Sequence, residues 1–387
     1  MMGGAFTILA DTVFDGAHRH EHAAVRIEDG IVAEIRSQDA AAPAKSVVRL
    51  PPGACLAPGF IDVQVNGGGG VLLNDAPTVD GVRTIAEAHR RFGTTGLLPT
   101  LISDRRDVMR RAIAAVGEAI EGGVPGVLGI HLEGPFLNVA RKGAHPAEHL
   151  VSMEESDLDL LCSLGTRGIS LVTLAPECVP TDFIAELARR GVVVCAGHTE
   201  AKAADIAEAE AAGLRGFTHL YNAMSQLGSR EPGAVGAALS GADTFAGIIA
   251  DGHHVADLSL ALAVKAMGPD RLMLVSDAMS PVGTEMTEFP LFGRTIHVGE
   301  GRLVLADGTL AGAMLDMAGA VRHMVGRIGV PLEHALRMAA TTPALFLRME
   351  RSLGRIAPGY RADLVALDSD LRVVETWIAG RGTGALN

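Results

Sequence analysis

Eight times between residues 55 and 280 a short apolar run ends in Gly, Asn, Asp, Glu or His and yields to a new segment. The runs are CLAPGFIDVQVN, TGLLPTL, GVLGIHLEG, ISLVTLAPE, VVVCAGHT, GFTHLYN, FAGIIADG and LMLVSDAM. Amphipathic stretches separate most of them: 79–92, 105–121, 154–164, 181–190, 201–212, 256–267 and, after an excursion, 316–328; a longer loop follows GFTHLYN. Continuous apolar runs alternating with helical periodicity belong to parallel strands joined by crossover helices. Eight such units are the count of a closed (β/α)8, TIM-like barrel, which places the chain in the α/β class.

The flanks have another period. Residues 5–55 alternate apolar and polar positions between Asp-Gly turns, and GRIAPGYRADLVALDSDLRVVETWIAG does so again around Pro358 and Gly359. Both read as hairpin strands. The expectation is a small β-sandwich domain built from both chain ends, 1–56 and 350–387. Between these two segments lies a barrel over 57–349 with a β-hairpin excursion near 288–312.

A hydrophobic fraction of 48% over 387 residues supplies a large core. The net charge of −12, with no basic stripe, argues against nucleic acid or anionic membrane as partner. Cys55, Cys162, Cys178 and Cys195 form no C-x-x-C pair, so neither a disulfide framework nor a thiolate zinc site is indicated. MMGGAFTILADTVF lacks a cationic leader, and no uncharged apolar stretch reaches spanning length. A cytoplasmic protein is expected.

A parallel barrel keeps its chemistry at the strand ends. Those ends carry Asp62, Gln64 and Asn66 at alternate positions of the first run, and His131 and Glu133 on the third. The fifth and sixth give His198 and His219, the seventh Asp251 and His254, the eighth Asp277. Either of His198 and His219 alone reads as a packed or capping histidine. With Glu133 they make a three-ligand set that leaves a coordination position open, as catalytic metal sites do. Asp277 at the same rim is placed to move a proton, and the class is metal-assisted hydrolysis. Other features carry less. Gly67 to Gly70 lack the Lys-Ser/Thr of a phosphate loop and read as a rim loop; His18, His20 and His22 read as a solvated turn; His131 and His253 read as supporting groups.

The motifs APGFIDVQVNGGGG, HLEGPFL, KGAH, GHTEA, THLYNAMS, REPG, ADGHHV, LVSDAM and TLAG run in order from residue 57 to 312. On them the chain resembles the amidohydrolase superfamily and, within it, the N-acetylglucosamine-6-phosphate deacetylase family. The resemblance implies hydrolysis of the acetamide of N-acetyl-D-glucosamine 6-phosphate to the amine and acetate. It makes Glu133, His198 and His219 the metal ligands and Asp277 the general base and acid. His145, in KGAH beside Ala144, holds the acetyl carbonyl; the backbone amides of Asn222 and Ala223 hold the phosphate, with Arg230 and His254 as side-chain donors. Leu310, Ala311 and Gly312 line the sugar pocket, and a homodimer follows in which Arg230 and His254 reach the neighbouring active site. The superfamily's His-x-His of the first strand reads Gln64 and Asn66 here. Amides are poor ligands beside imidazole. One divalent ion per chain is therefore expected, Zn2+ first, with Fe2+, Co2+ or Mn2+ as alternatives, and Gln64 is expected to contact water or substrate. The rival readings are an N-acetylgalactosamine-6-phosphate deacetylase, a cyclic-amide hydrolase and a non-catalytic sugar-phosphate sensor.

Overall fold

The structure, a computed structural model, describes residues 4–40, 46–306, 308 and 310–386. The extreme N-terminus and Thr309 of the TLAG stretch lie outside them. The barrel strands are, in order, Phe60–Val65, Thr94–Ile102, Gly129–Glu133, Ile169–Leu174, Val193–Ala196, Gly216–Phe217, Phe245–Ile249 and Leu272–Val275. Each pairs in parallel with the next. The ring closes where Val65 bridges Ala278 and the Asp277 N–H donates to the Gln64 carbonyl at 3.0 Å. Strands one, two and three are buried at every position, as expected of strands with side chains inside the ring on one face and helices on the other.

Helices Val79–Arg90, Arg106–Glu121, Thr181–Arg189 and Asp257–Met267 fall close to the segments read from periodicity. In the second of these, Val108, Met109, Ala112, Ile113, Val116 and Ala119 are buried, which is the 3.6-residue stripe pressed on the strands. The structure departs from the reading in the helical run Leu332–Leu336, Arg337–Thr341 and Thr342–Phe346, which the periodicity did not mark, and in two further places. The region after GFTHLYN contains a helix, Gly233–Ser240, as well as a loop. Its sequence GAVGAALS has no polar face and two glycines, so packing of Ala234, Val235 and Ala238, all buried, makes it a helix where periodicity is silent. The segment 316–328 is α-helical only over Met317–His323, capped by the Asp316 side chain, and continues as a π-helical turn to Ile328.

The flanking strands Phe6–Phe14, Arg19–Glu28, Ile31–Ser37, Val47–Arg49 and Cys55–Pro58 join the tail strands Leu364–Leu367, Val373–Ile378 and Arg381–Gly382 in one sheet. Leu364–Leu367 lies antiparallel to Cys55–Pro58, so the two chain ends do build one unit. Ile31 bridges Arg361, which curls the sheet around Ile8, Val25, Ile27, Leu56, Leu364 and Trp377. The Asp29-Gly30 turn has φ of 49° and 80°, the left-handed pair that a two-residue hairpin requires. The opening layer runs to Pro58, past the boundary drawn at 56. The excursion is a four-stranded antiparallel sheet, Glu288–Leu291, Arg294–Gly299, Arg302–Val304 and Leu310–Ala313. Its core includes Leu72, Ile102 and Met279, which tie it down on the barrel mouth.

Candidate active site

His198, His219 and Asp277 each follow a barrel strand, and each has a positive φ, 50°, 35° and 49°. Non-glycine residues enter that region at a cost of about 1 kcal/mol or more, and they hold it where surrounding bonds impose it. Here the reversal carries three side chains back over the strand ends into one cavity of about 190 Å³. Asn66, Glu133, His145 and His254 line it with them.

Within the cavity, Glu133 Oε1 stands 3.2 Å from His198 Nε2 and 2.9 Å from His219 Nε2, and the two Nε2 atoms are 3.0 Å apart. His198 Nδ1 donates to the Arg141 carbonyl at 2.7 Å, so the neutral ring carries its proton there and presents a bare Nε2. Two imidazole nitrogens and a carboxylate oxygen thus converge on one point. Burial opposes charge on His219, yet hydrogen bonding to Glu133 raises its pKa above the ordinary histidine value. Burial likewise opposes the Glu133 carboxylate, but the imidazoles of His198 and His219 packed against it hold it well below the usual range. The group attracts positive charge. Among the described residues, these three are the group of His, Cys, Asp and Glu side chains that could hold a metal ion, and their burial and donor types fit a divalent one.

Around the triad, Asp277 Oδ1 accepts from Gln64 Nε2 at 3.1 Å and Asn66 Nδ2 at 2.6 Å. Burial, with the Glu133 charge, pushes the Asp277 pKa up to about 6. Gln64 Nε2 also donates to Glu133 Oε1 at 3.2 Å. Gln64 lies beneath the cavity, where it ties Glu133 to Asp277, and Asn66 is the member of the pair on the cavity wall. His145 Nε2 is 3.7 Å from Glu133 Oε2, and its ring packs edge-on at 4.4 Å from His198. His131 is buried below, Nε2 on Thr173 Oγ1 at 2.7 Å, with burial pushing its pKa down to about 4; it supports from within the barrel, as read. His20 pairs with Asp15 at 2.8 Å on the small sheet, far in the chain's architecture from the triad.

Several expected contacts fall differently. His254 lines the cavity of its own chain, anchored by Nδ1 on Asp251 Oδ2 at 2.6 Å. Arg230 is exposed and away from this cavity's wall. The Asn222 N–H donates to the His219 carbonyl at 3.0 Å, which closes a tight turn, and Asn222 lines the cavity. Ala223, at φ 50°, lines the cavity beside it. Ala144, Leu310 and Gly312 line it too, but Ala311 is buried in the core of the excursion sheet because alternate strand positions face opposite ways. Ile102, Ile249, Gly143 and Met279 complete the wall and were not anticipated. Met279, two positions beyond Asp277, had the period-two signal that could have found it.

The amidohydrolase family model matches residues 55–382. The chain is 46% identical over 97% of its length to the N-acetylgalactosamine-6-phosphate deacetylase of Shewanella sp. (strain ANA-3), covering 95% of that protein. It is 38% identical to the human N-acetylglucosamine-6-phosphate deacetylase, over 85% of this chain and 83% of that one. The crystal structure of the N-acetylglucosamine-6-phosphate deacetylase from Pasteurella multocida superposes with a TM-score of 0.94 at 31% identity, covering 98% of this chain and 99% of that one. No helix among the described residues is long and apolar enough to cross a membrane. With the barrel, the buried Glu-His-His group and the carboxylate beside it in agreement, the chain belongs to the amidohydrolase family.

Proposed function

We propose that the chain removes the acetyl group of an N-acetylhexosamine 6-phosphate, N-acetyl-D-glucosamine 6-phosphate in the first reading, by metal-assisted hydrolysis. The observation that carries it is the meeting of Glu133, His198 and His219 with Asp277 in one cavity. Glu133, His198 and His219 would hold one divalent ion, zinc in the first instance, which when bound supplies Lewis acidity to water and carbonyl. Asp277 accepts a proton from the attacking water and delivers it to the leaving amine, and its two amide donors keep Oδ1 fixed while Oδ2 serves the reaction. His145 donates from Nε2 to the carbonyl oxygen as it becomes negative. The phosphate would lie against Ala223 and His254, with Arg230 supplied by a second copy of the chain. Exposed Leu258 and Leu262 on helix Asp257–Met267, with exposed Leu227 near Arg230 in sequence, support such a dimer by leaving apolar surface for a partner to cover. Four unpaired cysteines suit the cytoplasm.

A second reading, N-acetylgalactosamine 6-phosphate, has its own support: one relative with that name is 46% identical, against 38% for the human glucosamine enzyme, while another with that name is 36% identical. The sugars differ at one hydroxyl. Acetate release by metal-quantified protein on both phosphorylated epimers and on unphosphorylated N-acetylglucosamine separates the readings by kcat/KM. Turnover on neither phosphorylated sugar, with metal bound, overturns both.

A further inference from the structure

Ser103 directly follows the second barrel strand and is 2% exposed; its amide takes no part in the barrel ladder, and its Oγ lies 3.2 Å from the Glu133 carbonyl of the third strand. Its backbone N–H donates to His145 Nδ1 at 3.3 Å, and its Oγ lies 2.8 Å from the same nitrogen. A backbone amide can only donate, so the nitrogen it faces is unprotonated, and the proton of the neutral ring is on Nε2. The other end agrees, since Nε2 faces the Glu133 carboxylate at 3.7 Å, an acceptor that favours N–H there. Space for the hydroxyl is built in: a Cβ at Gly134 would come 2.1 Å from Ser103 Oγ, and Gly134 has φ of 93°. The residue after the ligand Glu133 thus has no side chain where Ser103 needs room.

We propose that Ser103 is the positioning residue for His145, fixing Nδ1 as an acceptor so that Nε2–H is presented to the scissile carbonyl. The inference rests on the role given to His145 above. Ser103 itself touches neither substrate nor reacting atoms. The hydroxyl has one proton and two acceptors in reach, Nδ1 at 2.8 Å and the Glu133 carbonyl at 3.2 Å; donated to the nearer Nδ1, it orients the ring and favours the tautomer with a donor in the cavity, and without it the backbone amide alone holds the ring.

The test compares wild type, Ser103→Ala and His145→Gln on the N-acetyl substrate and its N-trifluoroacetyl analogue, with metal content measured for each protein. Ser103→Ala is expected to lower kcat about tenfold on the acetyl substrate, the scale of one ordinary hydrogen bond. KM and metal content should hold. On the trifluoroacetyl analogue, whose oxyanion the fluorines already stabilise, the loss should shrink to about threefold or less. A general disturbance of the fold would lower both rates alike and overturn the proposal, as would no loss on either. If His145→Gln keeps full kcat, the reading of His145 fails and takes the inference with it; an inactive His145→Gln beside an unaffected Ser103→Ala removes the inference alone. Nitrogen-15 NMR of the wild-type ring decides the same point without a variant: an Nε2-protonated neutral His145 is expected, and an Nδ1-protonated ring overturns it.

Discussion

Replacing Asp277 by Asn separates proton transfer from architecture. Asp277 Oδ1 is held by the side-chain amides of Gln64 and Asn66 at 3.1 and 2.6 Å, and an asparagine carbonyl oxygen can accept both. The residue is outside the Glu133, His198 and His219 group, so metal content should be unchanged. What an amide cannot do is take a proton from water and return it to the amine. General acid–base catalysis is worth about 10²–10⁴-fold, or ~3–5 kcal/mol of barrier, and the variant should lose that much in kcat. Because burial and Glu133 push the wild-type carboxyl up to about 6, kcat/KM should fall with an acid limb as pH drops through that region. A bound cation favours the ionised form and moves the limb to lower pH, never higher. The assay is acetate release across pH 4.5–8, as an order-of-magnitude working range around that carboxyl, with metal measured on the same samples. Turnover within about threefold of wild type would refute the assignment, since no acid–base role is worth so little.

Chelation should lower the thermal midpoint and abolish turnover, and one equivalent of divalent metal should restore both; two equivalents per active chain would contradict the reading of Gln64 and Asn66 as non-ligands. Mixing two inactive proteins, Arg230→Ala and Asp277→Asn, should restore part of the activity, because a mixed dimer contains one site with an intact Asp277 and an intact partner arginine; no recovery in proven mixed dimers would place Arg230 outside catalysis. His89 is fully buried, its Nε2 on the Gly67 carbonyl at 2.9 Å, and burial lowers its pKa. A base whose folded pKa is depressed favours the fold while neutral, so this stability is present above its unfolded value of about 6.5 and is lost as pH falls below it. Urea midpoints at pH 7 and pH 5, values chosen to bracket roughly that 6.5, should drop further in wild type than in His89→Leu, and equal drops would exclude the idea.

Much of this was legible because the barrel writes itself in a repeating pattern. Strands such as Gly129–Glu133 are buried along their whole length, so they read as unbroken apolar runs, and the polar residue that ends each run marks the rim. Helix Gly233–Ser240 escaped notice because its alanines and glycines carry no polar face to set a period. Ala311 was placed with Leu310 and Gly312 by the resemblance of the TLAG stretch, whereas strand alternation turned it into the core of the excursion sheet. Ser103 closes a run as His198 does, yet a lone serine gives no signal until a loop brings His145 to within 2.8 Å of it.

The sequence by itself determined the fold class, the residues at the strand ends and the chemical type of the candidate site, since these follow from residue pattern and donor chemistry. Tertiary structure alone decided how they meet. Glu133 and His219 are 86 positions apart in the chain and 2.9 Å apart in space. That closeness comes from closing eight strands into a ring and from positive φ at His198, His219 and Asp277. Both depend on hydrogen bonds between distant segments, such as Asp277 N–H to the Gln64 carbonyl, and no local period encodes those.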